Sequence, residues 1–217
     1  MKTISLHQIL ILFLLIAGLG ITNAQVVKTK NKVYKKAVKR RTKDYKKQGY
    51  IPMGSGTIQL YVTRGVNKEF EEDENGELKF NVVTTKEVGP TFENALTACR
   101  ASARAAIAGN IETRVAELIK RSLNNDVISE RSANGINQVI TAGKQLIAQK
   151  VSMEDIYTFY KNIKDERDKK DIVEVVYSGC YSNRLAMQKA QEYIRQELKD
   201  ETEELHKDLD KIFKFDE

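Results

Sequence analysis

GPTFENALTACRASARAAIAGNIETRVAELIKRSL, residues 89–123, is the stretch on which the fold turns. Gly89-Pro90 stops whatever precedes it. Thr91 supplies an N-cap oxygen, and Glu93 sits in the first turn, where a negative charge suits the helix dipole. Leu96, Cys99, Ala103, Ile107, Ile111, Val115 and Leu118 then recur every three or four residues and make one apolar stripe. The spacing predicts a helix over 91–123, roughly 45–50 Å long. Alanines crowd its first half, and such small side chains let a sheet or another helix come close.

Working outward, residues 78–85 (LKFNVVTT) alternate and are rich in β-branched residues, which predicts a strand ended by Gly89-Pro90. Before it, Ile58, Leu60 and Val62 alternate as a strand would, but Ile58, Val62, Val66 and Phe70 recur every four residues over a longer span, so 57–70 is read in preference as a helix with Ser55 or Thr57 as its cap. Asn75-Gly76 marks the turn between the two. After the long helix, 124–134 is polar and reads as a break, and 135–149 as a shorter helix. Residues 154–162 and 171–177 read as strands joined by a charged turn, an antiparallel hairpin. Ser182 or Asn183 starts a final helix, and its charged continuation from 199 is expected to be solvated and to fray near Phe213-Lys214-Phe215. Without a βαβ rhythm, the expected fold class is α+β: a small antiparallel sheet of about three strands with long helices at one face.

Charge is divided unevenly. Residues 28–47 hold eleven Lys/Arg against Asp44 alone, whereas 48–217 hold 24 basic and 29 acidic residues. The basicity belongs to an arm, not to the domain. Tyr34, Val38 and Tyr45 recur at near-helical spacing within it and predict a short basic amphipathic helix. Lys35, Lys36, Lys39, Arg40, Arg41, Lys43, Lys46 and Lys47 are therefore candidate contacts to an anionic surface. The plainer alternatives are a solvated tail, or a helix folded back on the acidic domain. Nucleic acid suits the charge, but no recognition motif accompanies the lysines.

Ahead of the arm, Lys2 precedes the apolar run Ile9–Ile21 and the small-residue exit Thr22-Asn23-Ala24. This is the pattern of a secretory signal peptide over 1–24, and the run is short of the 20 or so residues that span a bilayer. An uncleaved anchor is the other reading. Export to a periplasmic or peripherally envelope-associated location follows from the first. The expected organisation is then signal peptide 1–24, basic arm 25–48, linker 49–56 (YIPMGSG within it), α+β domain 57–182 and charged C-terminal helix 183–217.

Little in the sequence carries chemistry. The two His are His7, in the leader, and His206, which discourages a poly-histidine metal site or a Ser-His-Asp triad. Nothing implies a cofactor or an enzyme. Cys99 sits on the apolar stripe and reads as a small hydrophobe. Cys180 precedes a helix start, where a thiol can be activated, but no base stands near it in sequence. A Cys99–Cys180 disulfide suits an exported chain and is a candidate. The carboxylates of 69–77 and 197–204 read as solvated faces. Tyr157, Phe159, Tyr160 and Tyr177 are candidates for an aromatic cleft that binds a small ligand, between sheet and long helix.

The order of segments also carries a resemblance. KKQGYIP is followed by DENGELKF, then by VGPTFENALTACRASARAAIAGNIETRVAEL, GKQLIAQK and VEVVYSGCYS. Over about residues 57–180 this is similar to the LPP-type envelope lipoprotein domain (the twenty-kilodalton lipoprotein family). It also resembles the related N-terminal domain of the flagellar assembly protein T. The resemblance implies a small sheet against two helices, a place in or near the outer membrane, and no catalytic residues. Here no lipobox Cys is present, which implies a soluble or peripherally attached form. Only Gly89 remains of the glycine-rich approach to the long helix, so no binding role is carried over to it. A non-enzymatic structural or interaction module is the expectation, with an envelope polymer hydrolase as the more distant rival.

Overall fold

The computed structural model describes residues 31–167 and 169–214. The expected leader, the first residues of the arm and Phe215 lie outside them. Among the described residues, six helices and four strands follow one another as α1 (31–47), β1 (Ile51–Pro52), α2 (Ile58–Phe70), β2 (Phe80–Gly89), α3 (Phe92–Asn124), α4 (Glu130–Lys150), β3 (Glu154–Lys164), β4 (Asp171–Ser182), α5 (Asn183–Glu197) and α6 (Glu203–Phe213). The fold is α+β, and the sheet is antiparallel in the order β1-β3-β4-β2.

One face of the sheet carries α3. Its N-cap is Thr91, whose side chain accepts from the Asn94 amide. The apolar stripe lies where the periodicity puts it: Cys99, Ala103, Ile107, Ile111, Val115 and Leu118 are buried. The alanines let α3 lie close to β2 and β4, with α4, α5 and α6 packed behind it. Burying each Ile contributes about 1.5–3 kcal/mol. Gly89 makes the entry to α3 tight, since a Cβ there would come 2.7 Å from the Ala95 backbone nitrogen.

The opposite face is also covered, by α1 and α2. Tyr50, Ile58, Val62, Val66, Tyr157, Phe159, Val176 and Cys180 form a second core, with Tyr34, Ala37, Val38 and Tyr45 of α1 packed on it. Expecting helices at one face alone therefore described half of the molecule. The sheet separates two cores because β4 is buried on both sides: Val175, Tyr177 and Tyr181 face α3, while Val176 and Cys180 face α1 and α2. In β3 a bulge between Asp155 and Tyr157 switches the side-chain direction. Asp155 accepts from the Tyr177 hydroxyl at 2.5 Å on the α3 side, yet Tyr157 stacks on Phe159 on the other. Gly179 leaves room for Tyr177, since a Cβ there would meet the Tyr177 hydroxyl at 2.7 Å.

Three boundaries differ from the sequence reading. The stretch 49–56 is no linker: Tyr50 is buried and Ile51-Pro52 pairs with Phe159 and Tyr160 as an edge strand, where proline's missing N–H is tolerated. The polar break after α3 is short, because Ser129 caps α4 and Ala133 is already core. Last, 199 onward does not continue α5 as a solvated helix. The chain turns after Leu198, Thr202 caps α6, and Leu205, Leu209, Ile212 and Phe213 pack against the domain. Four apolar residues on one face of an acidic segment are enough to dock it.

Candidate functional site

The basic segment forms a helix, as its spacing predicts, and the helix is docked. Tyr34 meets Phe70 edge to face, and its hydroxyl donates to Asn67 Oδ1 at 2.5 Å. Tyr45 packs edge to face on Tyr50, Tyr157 and Phe159. Burial, with Tyr157 alongside, pushes the Tyr45 hydroxyl well above the ordinary tyrosine range. Arg41 donates to Glu69 at 2.6 Å, and that bond raises the guanidinium further against the opposing effect of its burial. A freely solvated arm is thereby replaced by a helix folded back on the acidic domain.

This docking sorts the eight candidate contacts. Arg41 is half-buried and engaged by Glu69, so it serves the fold. Lys35, Lys36, Lys39, Arg40, Lys43, Lys46 and Lys47 are exposed, as is Lys32. They stand on the outer side of a helix whose inner side is fixed by aromatic packing, and so form a rigid basic ridge.

Beside the ridge runs an open groove of about 940 Å³ between α1 and α2. Lys35, Lys39, Lys43, Lys46 and Lys47 line it from α1, Gln59 and Thr63 from α2, with Tyr34 and Val38 as apolar surface. Thr42 lines it as well. Its residue is only 8% exposed, and its Oγ1 has no hydrogen-bond partner among the described residues. A buried hydroxyl left unpaired costs about 1–3 kcal/mol. The sequence reading passed over Thr42, Gln59 and Thr63. The available signal was that Thr42 continues the Tyr34–Val38 stripe one turn on, a polar residue where an apolar one was due.

The other polar groups of note hold the fold. Glu174 is buried and receives the Tyr50 hydroxyl at 2.6 Å, Lys161 at 2.8 Å and Lys86 at 3.1 Å. Burial alone would raise this carboxyl, but those three donors outweigh it and hold it at about 2. Asp208 is likewise buried; desolvation is outweighed by Lys211, Ser132 and the Ser129 amide, which lower it. Lys144 lowers Glu112 from the neighbouring helix. Among the described residues no group of three or more His, Cys, Asp or Glu is placed to hold a metal ion.

Both thiols are free and buried, which corrects the candidate disulfide. Cys99 belongs to the α3-side core and Cys180 to the α1/α2-side core, so the sheet stands between them. Burial pushes the Cys99 thiol up, and burial with Glu154 beside it pushes Cys180 up to about 11. The aromatic cleft is corrected too. Tyr157 and Phe159 fill one core, while Tyr177 fills the other and Tyr160 packs on Phe92. A different recess, of about 460 Å³, lies where β2, α3 and the start of α5 meet. It is lined by Asn81, Asn110, Arg114, Glu117, Tyr181 and Asn183 among others.

No family model, curated protein or solved structure matches this chain. Among the described residues no helix is long and apolar enough to cross a membrane.

Proposed function

We propose that this chain is an exported, non-enzymatic component of the cell envelope that works as an interaction module, with the outer face of α1 as its contact with an anionic surface. The observation that carries the reading is the fixed basic ridge: seven of the eight candidate cations point to solvent from a helix locked down by Tyr34, Arg41 and Tyr45. Each such side chain near a charged membrane contributes about 1 kcal/mol. A rigid ridge loses less side-chain and backbone freedom on contact than a disordered tail would. Export follows from the leader pattern of residues 1–24, and an envelope location from the resemblance of 57–180 to the LPP-type domain. In support of a non-enzymatic role, Glu112, Glu174 and Asp208 are all shifted down and held in ion pairs, and both thiols are shifted up. A general acid or a nucleophilic thiol needs the reverse shifts.

Sedimentation with vesicles containing one-third phosphatidylglycerol tests the reading. The protein should bind at low salt, release above about one-half molar salt, and ignore pure phosphatidylcholine. Replacing Lys32, Lys36 and Arg40 with Gln should weaken binding by tenfold or more. Equal binding to neutral vesicles, or indifference to those three changes, overturns it.

The recess beside Arg114 favours a second reading, a polar small-ligand site. It predicts that Asn110→Leu changes ligand-dependent thermal stability while vesicle binding stays as it is.

A further inference from the structure

We propose that the groove between α1 and α2 holds one anionic amphiphile, with a phosphate-type headgroup at Thr42 and its flanking lysines and an acyl chain along Tyr34 and Val38. This deepens the surface reading above and rests on it for the source of the ligand, an anionic envelope lipid.

Three features of the groove converge. Its charge is of one sign: five lysines line it, and no carboxylate is among the lining residues. Lys35, Lys39 and Lys43 follow one another at four-residue spacing and so stand along one side of the helix. Lys46, four residues after Thr42, stands next to that hydroxyl. An ammonium row of this kind has room to satisfy several oxygens of one headgroup.

The buried Thr42 hydroxyl is the second feature. Thr42 lines the groove while its Oγ1 lies just beneath the surface without a partner, and a headgroup oxygen admitted by movement of the flanking lysine stems would supply the missing hydrogen bond. A purely electrostatic ridge has no use for a buried hydroxyl between its lysines. The third is the apolar surface. Tyr34 and Val38 pack on the second core from one side and border the groove on the other, and the aliphatic stems of the lysines extend that lining. A free phosphate has no counterpart for this surface, whereas a chain-bearing phosphate does.

The probe is lysophosphatidylglycerol, used below its micelle concentration with the full chain and followed by titration calorimetry. One molecule should bind per protein, at least tenfold more tightly than zwitterionic lysophosphatidylcholine. Thr42→Val keeps the volume and removes the hydroxyl; it should weaken binding about tenfold. Gln59→Trp adds bulk at an exposed position on the groove wall, where folding is not at stake, and should abolish binding. Vesicle attachment through Lys32, Lys36 and Arg40, which lie outside the groove, should survive both changes. Failure of the monomeric probe to bind overturns the proposal, as does equal affinity for the zwitterionic lipid. Full competition by millimolar inorganic phosphate would show a phosphate site without a chain and also overturns it, and so does binding that both variants leave unaltered. Loss of vesicle attachment with saturable, Gln59→Trp-sensitive monomer binding retained would uphold the groove and remove the surface reading.

Discussion

The two faces of the sheet are held by different physics. On the α3 side the core is mainly aliphatic: Ile107, Ile111, Ile136, Ile140, Ile147 and Ile194 are essentially inaccessible and interlock α3, α4 and α5, with Tyr177 and Tyr181 on the sheet beneath them. On the α1/α2 side the core is aromatic and its rim is charged. Tyr45, Tyr50, Tyr157 and Phe159 form an edge-to-face and stacked cluster, bounded by Glu174 with its three donors and by Arg41–Glu69. Aliphatic packing contains no group to titrate and no charge for salt to screen. Tyrosine hydroxyls and ion pairs add directional bonds that respond to pH and salt. The α3 side rests mainly on aliphatic packing, with Lys144–Glu112 and Lys211–Asp208 added among its helices, whereas on the α1/α2 side the titratable groups belong to the aromatic cluster itself.

The largest effect is expected in the aliphatic core. Ile107→Ala deletes buried methyl groups where α3 meets the sheet and should cost about 3–4 kcal/mol in a urea titration, equally at pH 7 and pH 4. A cost near 1 kcal/mol would mean that the aliphatic side is loosely packed. Next in size, Glu174→Gln should cost about 2 kcal/mol at pH 7, since it removes the charge that Lys86, Lys161 and Tyr50 share. The sign of its pH dependence is set by the lowered carboxyl. Its contribution is complete above about pH 4.5, the ordinary glutamate value, and is lost as pH falls towards about 2. The gap between the natural protein and this variant should therefore close on acidification; a gap independent of pH would contradict the assignment.

Gly89→Ala should cost a similar amount, about 2 kcal/mol, because its Cβ would press on the α3 backbone rather than on a side chain able to move aside. No loss of stability would show that the β2–α3 turn has slack. Arg41→Met keeps most of the packing and removes the bond to Glu69, for about 0.5–1 kcal/mol. Its effect should appear as faster amide exchange in α1 with α3 unchanged. Uniform acceleration would instead mean that the two faces unfold as one. The smallest expected effect is that of reductant: melting should be the same with and without it, and mass spectrometry of the unfolded protein should show both thiols free to alkylate.

How much was legible follows from the same division. The α3 side could be read from periodicity because an amphipathic helix on a sheet needs one repeating stripe, and residues 91–123 carry it. The β3–β4 pair was legible through β-branched alternation, and the caps through Thr91, Thr57 and Ser182. The α1/α2 side was harder to read. Its arm announced its charge, but docking depends on Tyr34 and Tyr45 finding Phe70 and Phe159 far along the chain. A two-residue strand such as Ile51–Pro52 is too short for any period to declare. In the candidate interface the lysines were visible as composition, while Thr42 became notable only through its burial and its unpaired hydroxyl.

Local pattern by itself determined the class of most elements: the long stripe of α3, the alternation of β2, β3 and β4, the caps, and the concentration of net positive charge in one segment. Each depends on residues within a turn or two of one another. Tertiary structure alone decided that both faces of the sheet are covered, that α6 packs home, that Cys99 and Cys180 lie on opposite sides, and that a lysine-lined groove runs along α1. Those outcomes depend on which distant surfaces exclude water together, and burial is a property of the assembled surface, not of a neighbourhood in the chain.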